Sequence, residues 1–151
     1  MWRLTDLSAL PKLKKLLCSC NLKLNGDLSS LQVLSQTLKI LDLSSCWKVG
    51  GDLHTLSSFL CLHSLNLEEI RVIGDVRRIG PADFPSVKEI MLGKHVYGAK
   101  TINRSGDAPE VMEVWCRFET RNPGLFQRNG CLELADEVGR EIVFAETLEM
   151  V

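Results

Sequence analysis

The sequence predicts an α/β solenoid, with short strands stacked into a parallel sheet on one face and short helical or irregular segments on the other. Three observations carry this prediction. First, the stretch Leu38-Lys39-Ile40-Leu41-Asp42-Leu43-Ser44-Ser45-Cys46 has an apolar spacing that recurs in Leu13/Leu16/Cys18/Asn21, Leu62/Leu65/Leu67/Ile70 and Val87/Ile90/Leu92/His95. Second, the starts at 13, 38, 62 and 87 lie 25, 24 and 25 residues apart, a period that marks stacked strand-bearing repeats. Third, a Gly-Asp block keeps step with the strands: Leu24-Asn25-Gly26-Asp27-Leu28, then Val49-Gly50-Gly51-Asp52-Leu53, then Val72-Ile73-Gly74-Asp75-Val76.

Each element has a local reason. A strand turns alternate side chains to opposite faces, so the paired apolar residues point inward and their neighbours outward. The glycine suits a sharp backbone turn, because it takes positive φ at little cost, and the following aspartate is placed to cap a short helical turn. Leu28, Leu31 and Leu34, like Leu53 and Leu56, fall three apart, as in a short helix or 3₁₀ segment.

Leu13 to Asn21 and Leu38 to Cys46 match Leu-x-x-Leu-x-Leu-x-x-Asn/Cys, with Cys18 replacing one leucine. On these residues the chain resembles a leucine-rich repeat protein over about residues 4–102, and the repeat length with the Leu-x-Gly-x-Leu block is similar to the plant-type subclass. The proline usual after that block is absent. The resemblance implies a concave parallel sheet that binds a protein partner. It also implies that the turn residues Asn21 and Cys46 hydrogen-bond the backbone of the neighbouring coil, a role closed to Ile70.

On that face the central column is expected to be Leu17, Asp42, Asn66 and Met91. Lys15, Ile40, Ser64 and Glu89 flank it on one side, and Ser19, Ser44, Glu68 and Gly93 on the other. These residues mix apolar, hydroxyl and charged groups, which suits a protein better than phosphate or sugar.

The array is expected over 1–102, as a partial first repeat and four full ones, with a non-repeat segment at 103–151. Leu4 to Leu10 reads as the second half of a repeat, because Asp6-Leu7-x-x-Leu10 matches Asp27-Leu28-x-x-Leu31. A piece of a larger array, or self-association through an open edge, is the alternative to a binding module. Either Trp2 and the first turn form a lid, or the edge pairs elsewhere. The stretch 77–86 contains two prolines and is expected as an irregular outer loop with Ile79 and Phe84 on the core. Arg71, Arg77 and Arg78 form a basic cluster, either solvated or in contact with acidic groups.

Asn103 to Pro109 reads as a turn-rich linker. Met112 to Phe118 alternates like a strand with one buried face, and as a continuation of the sheet edge it would make the tail a cap. Cys131 to Ala135 and Glu141 to Ala145 fit either strands or short helical pieces.

The 18 Lys/Arg and 19 Asp/Glu nearly cancel, which argues against nucleic acid or an anionic membrane as the main partner. The balance is uneven along the chain: residues 1–102 carry 13 basic and 9 acidic groups, and residues 103–151 carry 5 and 10. The six cysteines show no CxxC, and Cys18 and Cys46 read as small buried residues, so a reducing compartment is expected. No signal-peptide core or membrane-spanning run is present. A cytoplasmic or nuclear location is expected, or an extracellular one for a piece of a longer secreted chain, where Asn103-Arg104-Ser105 would be a glycosylation triplet.

No catalytic, cofactor or metal site is expected. Ser45-Cys46-Trp47-Lys48 fits Ser-x-x-Lys without a companion motif. His54, His63 and His95 are spread over three repeats, and Cys61 with His63 lacks a second pair at metal spacing. An enzyme would have to use Glu113, Cys116 or Cys131, for which the sequence supplies no geometry.

Overall fold

A computed structural model describes residues 2–98, 109–121, 132–135 and 142–145. The fold is mixed α/β, with two parallel sheets and little helix; the second sheet departs from the expectation of one, since the Gly-Asp stretches read as turns are themselves strands. Odd-numbered strands β1 (Trp2–Arg3), β3 (Leu24–Asp27), β5 (Lys48–Asp52), β7 (Arg71–Asp75) and β9 (Val96–Tyr97) form a five-stranded back sheet. Even-numbered strands β2 (Lys15–Leu17), β4 (Ile40–Asp42), β6 (Ser64–Asn66) and β8 (Glu89–Met91) form a four-stranded front sheet. The chain thus crosses between the sheets from strand to strand, and all pairings within them are parallel.

Register in the front sheet puts Leu16 beside Leu41, Leu41 beside Leu65, and Leu65 beside Ile90. All four are buried, at 8%, 0%, 1% and 3% exposure. Leu38, Leu62 and Val87 precede them in the core, and Leu43, Leu67 and Leu92 follow. Burying one such side chain contributes about 1.5–3 kcal/mol, so this shared interior is the main support of both sheets.

Between β3 and β4, β5 and β6, and β7 and β8 the chain makes 3₁₀ turns at Leu28–Leu34, Leu53–Leu56 and Val76–Arg78. Asp27, Asp52 and Asp75 cap them, each accepting from a backbone N–H two residues on at 2.8–2.9 Å. Gly51 precedes such a cap with φ +128°, and a Cβ there would lie 2.9 Å from Leu28 N. Gly74, at φ +157°, would bring a Cβ 2.9 Å from Leu53 Cβ. Both conformation and space therefore require glycine. The loop that follows Arg78 buries Ile79 and Phe84.

Past the first three front strands the corner is left-handed without glycine, at Cys20, Ser45 and Glu69 (φ 59°, 59° and 56°). Main-chain bonds to the neighbouring corner hold the first two: Cys20 N–H donates to Ser44 O at 2.8 Å, and Ser45 N–H to Glu68 O at 2.9 Å. The turn residues then differ. Cys46 Sγ donates to Cys18 O of the neighbouring coil at 2.8 Å. Asn21 Oδ1 instead accepts from Lys23 and Leu24 N–H within its own coil. Burial raises the thiol pKa of both Cys18 and Cys46.

The two ends differ. At the first, β1 pairs with β3 and Leu4 of the first turn is buried, while Trp2 is 67% exposed. At the other, residues 112–118 are not a strand. They belong to helix α1 (Pro109–Arg121). The pattern that decides is Val111, Val114, Trp115 and Phe118, all buried and spaced i, i+3, i+4, i+7. Reading from Met112 omits Val111 and turns Trp115 outward, which leaves a false alternation. Pro109 suits the first helical position.

Helix α1 packs Phe118 edge-on to Phe84, with ring centroids 6.3 Å apart. Arg117 and Arg121 donate to the carbonyls of Ile79 and Phe84, at 3.0 and 3.2 Å. Burial lowers the Arg121 pKa. β10 (Leu132–Ala135) and β11 (Ile142–Ala145) pair antiparallel, so the described part of each stretch is strand, and Glu141 lies outside it. The linker at 103–108 and Cys131 lie outside the described residues.

Candidate binding face

The front sheet has one face on the core and one on solvent, because its strands alternate across it. Lys15, Ile40, Ser64 and Glu89 are direct register partners along one solvent-side row, and Leu17, Asp42, Asn66 and Met91 along the next. Leu17 is 65% exposed, while Asp42, Asn66 and Met91 are half-buried. Beyond the strand ends, Ser44 and Glu68 continue the rows through Cys20 N–H to Ser44 O and Ser45 N–H to Glu68 O. Ser19 is exposed at the free edge of this row.

A shallow depression of about 340 Å³ opens on this face. Leu17, Ile40, Asp42, Ser64, Asn66, Glu89 and Met91 line it, so seven of the sequence-derived residues share one surface. Two have a second task. Asp42 Oδ1 accepts from Ser44 N–H at 3.0 Å and Ser44 Oγ at 2.7 Å, and Asn66 Oδ1 accepts from Glu68 N–H at 3.1 Å. These bonds close the strand ends, so arginine at either position would disturb the fold as well as the surface. Ser64 Oγ also donates to Glu89 Oε2 at 3.3 Å.

Sequence reasoning missed two groups. A second depression of about 420 Å³ lies past the strand ends, lined by Trp47, Glu68, Glu69, Ile70, Arg71, Leu92, Gly93, Lys94 and His95. Trp47 is 59% exposed. The other group, Lys14, Lys39, His63 and Lys88, stands before the strands. Lys14 O accepts from Lys39 and Ile40 N–H, Lys39 O from His63 and Ser64 N–H, and His63 O from Lys88 and Glu89 N–H. Its signal was the position after the first apolar residue of each unit, which a focus on strand centres passes over.

The basic cluster divides. Arg77 pairs with Asp75 at 2.7 Å and lies over the Tyr97 ring, 4.2 Å from its centroid, while Arg71 lines the second depression. The hydrogen bond from Arg77 holds the Asp75 carboxyl below the usual carboxylate range. Among the described residues no group of three His, Cys, Asp or Glu is placed to hold a metal ion, and no helix is long and apolar enough to cross a membrane.

Compared with known proteins, the chain matches no family model, no curated protein and no solved structure.

Proposed function

We propose that this chain is a leucine-rich repeat solenoid and a non-catalytic binding module, whose front sheet is the concave face that holds a protein partner. The observation that carries the reading is the coincidence of sequence period and sheet register. Residues 24 or 25 apart in the sequence are neighbours on one exposed surface, and that surface carries Leu17, Ile40 and Met91 beside hydroxyls and carboxylates. Apolar anchors among mixed polar groups suit a protein interface.

Placing a photoreactive residue in turn at Ser64, Met91 and Val33, the last exposed outside the front sheet, tests it in extract from the protein's source. The same polypeptide should be captured from Ser64 and Met91 and not from Val33. Capture from Val33 alone, or from all three equally, overturns the reading.

A second reading has its own support. β1 and β2 are sheet edges, and Trp2, Leu10 and Leu22 near them are 67%, 53% and 60% exposed. Association through this end predicts a concentration-dependent mass in sedimentation, and a monomer throughout would remove it.

A further inference from the structure

We propose that the partner presents an acidic α-helical segment, laid along the stacking direction with its carboxylates on the Lys14, Lys39, His63 and Lys88 ladder. This rests on the front-sheet reading above and adds the chemistry of the partner.

Backbone bonds set the ladder in register. Lys39 N–H donates to Lys14 O at 2.7 Å, His63 N–H to Lys39 O at 2.8 Å, and Lys88 N–H to His63 O at 2.7 Å. Neighbouring rungs are therefore about 4.8 Å apart, the spacing of adjacent strands. The three lysines are exposed, His63 between them is half-buried with its Nδ1 on Cys61 O, and Lys15 beside Lys14 adds a fourth positive charge. Among the described residues no carboxylate lies within ion-pair distance of Lys14 or Lys39.

Spacing selects the shape of the occupant. Acidic residues at i, i+3 or i+4 on a helix advance about 4.5–6 Å along its axis, close to one rung. In an extended chain, side chains on one face advance about 6.6 Å and lose step after a rung or two.

Charge across the face selects its class. Opposite the ladder, the far ends of the strands carry Asp42, Glu68 and Glu69, and Glu89 sits between. From His63 to Glu68 the face spans about 16 Å, room for a helix of about 10–12 Å. A helix with an acidic flank meets the lysines while its other flank faces the carboxylates. A polyanion broad enough to cover the whole face, such as duplex nucleic acid, would meet those carboxylates head-on.

The test uses the full chain and a helical peptide of about 15 residues with glutamates at i, i+3 and i+7, which advance about 10.5 Å over two rungs, and lysines on the opposite flank. The controls are a composition-matched scramble without the stripe, and duplex DNA. The striped peptide should bind with affinity that falls steeply with salt. Scrambling it, or combining Lys14→Glu, Lys39→Glu and Lys88→Glu, should weaken binding about tenfold or more. Lys→Gln at the same positions serves if the reversals disturb folding.

No binding, equal binding of striped and scrambled peptides, or DNA binding as tight as the striped peptide overturns the proposal. Photocapture from Ser64 in the Lys→Gln background separates the two claims. Undiminished capture there defeats the ladder and leaves the front-sheet reading standing, whereas failure of Ser64 and Met91 to capture in the unaltered chain defeats that reading itself.

Discussion

In the back sheet, β3, β5 and β7 each end on a Gly-Asp pair whose aspartate caps the next turn, whereas the front strands carry different residues at every equivalent outward position. One sheet repeats its chemistry because the backbone demands it. The other repeats only its inward leucines and leaves the solvent side free to differ from coil to coil. The contrast teaches that recurrence marks what the backbone needs, and that a fixed register can hold while the solvent-side residues vary.

The largest effect should fall on the interior that both sheets share. Leu41→Ala should cost about 2–5 kcal/mol by denaturant unfolding, and a much smaller loss would mean that the core is not common to both. Gly51→Ala should follow, at about 1–3 kcal/mol, because it strains the backbone and crowds Leu28 N. Asp52→Ala should lose about 1 kcal/mol with its cap.

On the front sheet, Leu17→Ser should stay within about 0.5 kcal/mol, whereas Asp42→Ala should cost about 1 kcal/mol because Asp42 also closes a strand end. Equal costs at Leu17 and Asp42 would blur the division between the sheets.

The smallest effect concerns acid. Since the folded Asp75 carboxyl titrates below its ordinary value, its contribution is full above the unfolded pKa of about 3.9 and is lost as pH falls through the lowered one. Asp75→Asn should keep the cap acceptor and flatten that part of the acid-unfolding curve.

Of the back sheet only the aspartate caps were legible; its strands Leu24–Asp27, Lys48–Asp52 and Arg71–Asp75 were not, because the glycines in them read as sharp turns rather than as strand residues at positive φ. The front rows were legible because a steady period fixes register. Three further features were not. Helix α1 was hidden because Val114, Cys116 and Phe118 alternate as well as a strand would, and only Val111 and Trp115 together reveal the helical face. The bonds from Asp42 and Asn66 to their own strand ends depend on side-chain direction, which spacing leaves open. The lysine ladder stayed out of view because its residues precede the strands, where alternation does not govern orientation.

Cys20, Ser45 and Glu69 adopt one left-handed backbone shape with three unrelated side chains. A corner secured by main-chain bonds rather than by glycine can exchange its side chain without redrawing the path of the chain. Such a position can take on new side-chain chemistry while the scaffold beneath stays still.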